Sequence, residues 1–454
     1  MAGGRPMGAG RGDGRGSAPP VRGTGCADPN EATPRRDAAP KARQRANCAP
    51  RPPESGEEPF WVLPPIEGTL PSSPEMSFFV RGGFRTMAND PALADSQATD
   101  RNTGKRLIDP DHHESPCAER SGRPRMSAGI DARRDAWTQY WKAGALHSLA
   151  GSFDGNYSGA IRRFWEQVFA PLDADDRVLD IGTGNGALPA LLCELRGDAL
   201  PQVVAIDLAS PDPAWLASAP AACRGRLRFH SGIAAEETGF ADAGFDLVVS
   251  QYGLEYSDLA RSLPEVARIT TGGGRLALVV HHAGSRLAGV ARAEVRMIDW
   301  LRAPGGLMER AAALYPYLVL AARGERERLV ADPQAGRTRA AFNEAMRALG
   351  ELAGREVFPD ALLDARSAIA ARIDAIMRGH MDANQAVEAH RDHDRALEGA
   401  RLRSLELCEH ALDETALERL LSALENIGFT GAEAAPLHHG EHLVGWTIRA
   451  DRSS

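Results

Sequence analysis

Residues 177–186 read RVLDIGTGNG, and this stretch decides the fold. An apolar strand runs here into three glycines, Gly182, Gly184 and Gly186, and then into a helix-forming run. Glycine lets the backbone turn sharply and approach a ligand closely, so a side chain at Gly184 is expected to meet that ligand. The spacing is GxGxG, whereas dinucleotide enzymes usually show GxGxxG. The stretch predicts a nucleotide-type cofactor site and disfavours a dehydrogenase.

Four more apolar strands are predicted after this turn, and helical runs separate most of them. They cover residues 202–208, 226–232, 245–251 and 274–280. The first of these four ends at Asp207, where a carboxylate could accept hydrogen bonds from two ribose hydroxyls. Alternating strands and helices are typical of a parallel α/β sheet.

The pattern resembles the class I S-adenosylmethionine-dependent methyltransferases of the small-molecule type. VLDIGTGNG stands where that family has its first motif, AIDL is similar to its second, FDLVVSQ to its fourth strand, and ARITTGGGRLAL to its helix, turn and fifth strand. Residues 416–429 and the two strand-like runs after them resemble the family's closing helix and hairpin. The resemblance implies a doubly wound, Rossmann-like α/β sheet of order 3-2-1-4-5-7-6, with the last strand antiparallel, and S-adenosylmethionine as cofactor.

The resemblance places the cofactor in the Gly-rich turn and at the neighbouring strand ends. Ile233 stands where the family often has an acid that reaches the adenine amino group, so we expect backbone groups and apolar packing to hold the adenine. Pro264 interrupts the helix before the fifth strand and is expected to start or kink that helix. The predicted cofactor-binding residues are Asp180, Gly182, Thr183, Gly184, Asn185, Gly186, Asp207, Leu208, Ile233, Ala234 and Gln251.

Proline and charge divide the chain into segments. Residues 1–125 hold 18 of the 30 prolines and few apolar periods, which predicts a disordered or non-native extension, with a natural start at Met126. The segments predicted after it are an aromatic helical cap at 126–172, a cofactor-binding domain at 173–282, a helical insertion at 283–412, and a closing helix and hairpin at 413–454.

The insertion is long, since the family usually spends only a few tens of residues there. Helical periods at 287–301, 339–352, 361–377 and 385–411 leave a substrate lid and a homodimerisation element equally open. The Gly-rich turn lies on the other half of the sheet, so deleting residues 285–412 is expected to leave cofactor binding nearly intact. Four aromatic residues of the cap are candidates for a substrate wall: Trp137, Tyr140, Trp141 and Tyr157.

Charge and cysteine content exclude several classes of protein. From residue 126 onward, 35 basic and 45 acidic residues argue against a nucleic-acid groove. We find neither a run of ~20 apolar residues nor a signal-peptide core, so we expect no membrane span. Cys193, Cys223 and Cys408 are scattered singly, which predicts no disulfide framework and a reducing cytoplasm. Residues 388–394 carry metal-capable groups, but a solvated charged face is expected there and no metal site.

The chemistry follows from the cofactor. The sulfonium is an activated donor, so the protein mainly aligns the acceptor and, for an oxygen nucleophile, removes a proton. Candidate catalytic residues at strand ends are Tyr252, Glu255, His281 and His282, and a histidine base would titrate near neutral pH.

The favoured activity is O- or C-methylation of a small organic acceptor, with phenols, polyketide-like acids and quinone precursors first in a screen. Two alternatives stay open. One is a noncatalytic S-adenosylmethionine-binding scaffold that acts through the helical insertion. The other is a nicotinamide-dependent oxidoreductase.

Overall fold

The structure is a computed structural model that describes residues 129–148 and 155–454. The extension proposed for residues 1–125 lies outside the described residues. The first part of the described chain alternates helices with strands. Its elements are α1 (Ile130–Lys142), α2 (Gly159–Phe169), β1 (Arg177–Ile181), α3 (Ala187–Arg196), β2 (Gln202–Asp207), α4 (Ala221–Arg226), β3 (Leu227–Ser231), β4 (Phe245–Gln251), α5 (Leu259–Ile269) and β5 (Thr270–Val280).

The second part begins with consecutive helices and ends with a helix and a hairpin. Its elements are α6 (Arg286–Arg302), α7 (Leu307–Ala322), α8 (Arg326–Ala331), α9 (Pro333–Ala353), α10 (Asp360–Met377), α11 (Ala383–His410), α12 (Glu414–Asn426), β6 (Phe429–His439) and β7 (His442–Arg452). Local signals set several helix starts. The Ser285 hydroxyl accepts from the Ala288 N–H, and Asp382 and Gln385 form a capping box that begins α11.

The seven strands form one sheet in the order β3-β2-β1-β4-β5-β7-β6, which confirms the predicted fold. Strands β1 to β5 pair in parallel, and β7 pairs antiparallel with both β5 and β6. The central strands are buried on both faces because helices cover the sheet on each side. Val178 and Val249 pack in one apolar layer with Trp165, whereas Leu179 and Val248 pack in the other.

The helices between β5 and α12 share their core with the sheet. Leu287 of α6, Tyr315 of α7 and Phe342 of α9 belong to the same apolar cluster as Val178 of β1. None of the helical periods read from the sequence covers α7 or α8. The inserted helices are therefore packed onto the sheet through one continuous core.

Three local expectations are corrected or narrowed. Of the two outcomes expected of Pro264, a helix start is excluded: α5 begins five residues earlier, after Asp258 caps the Ala260 N–H, and Pro264 lies inside the helix. Cys193 of α3 and Cys223 of α4 form a disulfide, because the two helices flank β2 and meet on one side of the sheet. Their separation of 30 residues hides this proximity in the sequence.

The third concerns residues 388–394. Glu388 is exposed as expected, but His390 and His393 are buried on α11. The hydroxyl of Tyr315 on α7 lies 3.1 Å from His390 Nδ1.

Within the described residues, every helix is too short or too polar to cross a bilayer.

Candidate cofactor and acceptor site

A cavity opens at the carboxyl ends of β1, β2 and β4, where a doubly wound sheet places its ligands. Its volume is about 1020 Å³ including the open mouth. The Gly-rich turn (residues 182–186) forms the floor, and residues of α1 form the roof. Residues 233–236, after β3, form one side wall.

The Gly-rich turn requires glycine because protein groups press against it. Gly182, Gly184 and Gly186 have φ of +70°, +53° and +80°. A Cβ on Gly184 would lie 2.6 Å from the indole ring of Trp141, and one on Gly186 would lie 2.7 Å from the Phe229 ring. The expectation that a Gly184 side chain would meet the ligand is therefore wrong, since it would meet the roof.

Asp207 holds this turn and also lines the cavity. Its carboxylate accepts from the Gly184 N–H and the Ala209 N–H, both at 2.8 Å. Burial raises the pKa of Asp207, while these two N–H groups lower it. Leu208, Ile233 and Ala234 also line the cavity.

Asp180 is the most deeply buried acid of the cavity. It is the last residue but one of β1, two positions before the Gly-rich turn. Its exposed fraction is 2%, and it lines the cavity. Its Oδ2 atom has no hydrogen-bond partner. Burial raises the pKa of Asp180 to about 7. A cationic group that enters the cavity would satisfy this carboxylate.

Asn185 supports the roof and does not line the cavity. Its Nδ2 atom donates to the carbonyls of Trp141 and Ala145, at 2.9 and 2.7 Å, and its Oδ1 accepts from the Asp212 N–H at 2.7 Å. Thr183 lines the cavity. The predicted cofactor residues thus divide into a lining set and a supporting set, the latter formed by Gly184, Asn185 and Gly186.

Gln251 ends β4 and Tyr252 follows it, and both line the opposite wall. Gln251 accepts from the Trp165 indole N–H at 2.6 Å, so α2 fixes this amide from behind. Tyr252 has φ of +54°, and its hydroxyl donates to the Val444 carbonyl of β7 at 3.0 Å. Burial raises the pKa of Tyr252. Its hydroxyl is engaged with the sheet, and its ring faces the cavity wall.

Glu255 and His281 lie behind Tyr252 rather than at the cavity. The His281 ring stacks on Tyr252 at 4.1 Å, and the backbone N–H of His281 donates to Glu255 Oε1 at 3.0 Å. Burial raises the pKa of Glu255 to about 8 and lowers that of His281 to about 3. His282 is separate: it stacks on Trp446 at 4.4 Å. The structure groups the first three candidate catalytic residues and sets His282 apart.

The cap contributes more residues to the cavity than the four aromatic candidates named from the sequence. Trp137, Trp141 and Tyr157 line the cavity, whereas Tyr140 lies behind the roof and donates to the His147 carbonyl at 3.1 Å. Sequence reasoning missed His147, which stacks on Tyr157 at 4.6 Å and whose pKa burial lowers to about 4.

It also missed Arg133 and Arg134, which line the cavity together with Tyr256. The spacing of α1 residues carried a usable signal. Ile130, Arg133, Trp137 and Trp141 are three or four positions apart and share one helix face.

Comparison with known proteins agrees with this geometry. Residues 179–278 match the family model of a methyltransferase domain. An uncharacterised methyltransferase of Mycobacterium tuberculosis is 38% identical over 114 residues, which is 25% of this chain and 43% of that protein. The 27-O-demethylrifamycin SV methyltransferase of Amycolatopsis mediterranei is 30% identical over 156 residues, 34% of this chain and 57% of that protein.

The chain thus spans about half the length of the curated relatives it matches. Among solved structures, the CurJ carbon methyltransferase is 11% identical with a TM-score of 0.31, covering 71% of this chain and 67% of its own. The sheet order and the matched domain agree. The chain carries a methyltransferase domain at residues 179–278.

Proposed function

We propose that this protein transfers a methyl group from S-adenosylmethionine to a small organic acceptor, by O- or C-methylation. The observation that carries the proposal is the pair of buried carboxylates, Asp180 and Asp207, that flank the Gly-rich turn at the cavity floor. S-adenosylmethionine would supply a methyl group already activated on a sulfonium. The residues present fit its two polar ends.

Each carboxylate matches one end of the cofactor. The orphaned Oδ2 of Asp180 suits the ammonium of the methionine part. An ionised carboxylate can accept about four hydrogen bonds. Asp207 accepts one from the Gly184 N–H and one from the Ala209 N–H, so two acceptor positions remain for ribose hydroxyls. Ile233 and Ala234 offer an apolar surface to the adenine.

The acceptor would occupy the aromatic end of the cavity. Trp137, Tyr157, Tyr252 and Tyr256 line it, and such walls favour a flat, largely apolar molecule. The relative from Amycolatopsis mediterranei is named for methylation of 27-O-demethylrifamycin SV, a small molecule, which supports the same acceptor class here.

The candidate catalytic residues take different proposed roles. Tyr252 lines the cavity and is the one of the four able to touch an acceptor. His281 and Glu255 would act through Tyr252 as positioning residues. The His281 ring stacks on the Tyr252 ring, and Glu255 accepts a hydrogen bond from the His281 backbone N–H. His282 would hold the end of β5 against β7 through Trp446.

Binding and turnover test the proposal separately. The full chain should bind S-adenosylhomocysteine in calorimetry, and Asp207→Asn should weaken binding about tenfold, as expected for charged hydrogen bonds worth about 1.5–3 kcal/mol. Binding of NAD instead would establish the oxidoreductase alternative and overturn the proposal.

Turnover requires labelled S-adenosylmethionine and a panel of phenols, polyketide-like acids and quinone precursors. Transfer of label to an acceptor is expected. Cofactor binding with no transfer across the panel would favour the noncatalytic scaffold. The cytoplasmic location and a homodimer formed through the insertion stay predictions, and light scattering of the full chain checks the latter.

A further inference from the structure

Helix α1 is the roof of the cavity, and one of its faces belongs to the site. Arg133, Trp137 and Trp141 line the cavity along this roof helix. Trp137 stacks on Trp141 at 5.6 Å and meets Tyr256 edge-on at 6.0 Å. This aromatic row runs from the Gly-rich turn to the end of β4, across the mouth of the cavity.

The roof helix also contacts α11, the last helix of the insertion. Arg133 forms an ion pair with Glu406 at 2.7 Å, and the Glu406 side chain is 6% exposed. Arg403 is 5% exposed. Its guanidinium lies 4.8 Å from the Tyr140 ring centre and 5.9 Å from that of Trp137, and it donates to the Ala136 carbonyl at 3.2 Å.

The roof is tied to the floor at both ends. Asn185 of the Gly-rich turn donates to the Trp141 carbonyl, and Arg133 donates to the Tyr256 carbonyl at 2.8 Å. Arg133 therefore bridges α11 and the loop after β4. Cation–π contacts and ion pairs that are removed from water are stronger than exposed ones.

We infer that α11 positions the roof helix over the cofactor, with Arg403 and Glu406 as positioning residues, so that cofactor affinity depends on the helical insertion. This inference rests on the proposed function. It replaces the expectation that removal of the insertion leaves cofactor binding intact, because the insertion holds one wall of the cofactor cavity.

Two variants and a control on α11 test the inference in the full chain. Arg403→Met keeps the aliphatic stem and removes the guanidinium, and Glu406→Gln removes the charge that pairs with Arg133. Arg401→Met is the control, because Arg401 pairs with Asp299 and Glu398 at an exposed site. S-adenosylhomocysteine should bind Arg403→Met about tenfold more weakly and dissociate faster, with a smaller loss in Glu406→Gln.

Amide hydrogen exchange gives a readout that needs no ligand. Residues 130–142 should exchange at least several-fold faster in Arg403→Met than in the parent, while Arg401→Met and the sheet strands stay unchanged. Arg403→Lys, which keeps the charge, should restore part of the protection.

Three results would decide against the inference or its basis. Parent-like exchange and affinity in folded Arg403→Met would overturn it, as would an equal loss in Arg401→Met, which would indicate general loosening of α11. If the parent binds neither S-adenosylmethionine nor S-adenosylhomocysteine, the proposed function fails, and the exchange of residues 130–142 alone decides whether α11 holds the roof.

Discussion

At the scale of single residues, Gly184 connects the floor of the cavity with its roof. We predict that Gly184→Ala lowers the free energy of unfolding by about 2–4 kcal/mol, because it adds a Cβ in a left-handed conformation and pushes it into Trp141. Gly379→Ala is the control, since its φ is +73° and no atom lies within 4 Å of its Cβ position. It should cost only about 1 kcal/mol.

Denaturant melts of both variants check this prediction. Calorimetry with S-adenosylhomocysteine should show weakened binding for Gly184→Ala alone. Equal destabilisation by the two substitutions would show that the Trp141 contact contributes nothing.

Asp180 makes a second prediction at this scale. Burial raises the pKa of its carboxyl to about 7, and a cationic ligand favours the ionised form. Affinity for S-adenosylhomocysteine should therefore rise about fivefold from pH 6 to pH 7, reach about tenfold by pH 8 and level off above that. Calorimetry across this range tests it, and Asp180→Asn should bind weakly with no such slope. A flat profile in the parent would contradict the proposed contact.

The sequence predicted these residues unevenly. Asp180, Asp207 and Gln251 line the cavity, because strand ends in a parallel sheet converge on one edge and a motif can locate them. His147 and Tyr256 lie outside any motif, and only the packing of α1 and β4 brings them to the cavity. Placing Tyr252 with its hydroxyl on Val444 required knowing the register of β7, which lies about 190 residues later.

At the scale of elements, the disulfide joins the helix after the Gly-rich turn to α4. We predict that the double variant Cys193→Ser, Cys223→Ser lowers the free energy of unfolding by about 3–4 kcal/mol, the chain-entropy value for a loop of this length. Denaturant midpoints measure it, and the parent in reductant should match the variant. Two reactive thiols at these positions in the unreduced protein would contradict the prediction.

Helices and strands differed in how far the sequence located them. The sheet order that the family resemblance implied is the order observed, because the strand motifs of that resemblance are present in the same sequence order. Periodicity indicated four helices of the insertion but not α7, whose apolar residues surround it nearly completely and leave no contrast between faces. The contact of α1 with α11 was missed because periodicity identifies a buried face and not its partner.

At the scale of the whole molecule, buried acids control how stability depends on pH. Burial raises the pKa of Asp180 and Glu294 to about 7 and that of Glu255 to about 8. Between pH 6.5 and 8 the unfolded chain has these acids ionised, while the folded chain still binds protons. Stability should therefore fall as pH rises through this window, by up to about 1.4 kcal/mol per pH unit for each acid.

Urea melts from pH 6.5 to 8.5 check this prediction. Glu255→Gln should make the decline shallower, because one of the three titrating groups is gone. Burial lowers the pKa values of four buried histidines in the folded chain, but in the unfolded chain they titrate near pH 6.5. They therefore offset part of the decline at the start of this window and little of it above about pH 7.5. Constant or rising stability toward pH 8 would contradict it.

The ion pair between the roof helix and α11 has a consequence for synthesis. Arg133 precedes its partner Glu406 by 273 residues. During translation the roof helix leaves the ribosome early, yet its anchor does not exist until nearly the whole chain has been made. Strand β7, which receives the Tyr252 hydroxyl, emerges later still. A nascent chain thus completes the sheet edge and the cofactor cavity last, and an incomplete polypeptide cannot hold its ligand in the finished geometry.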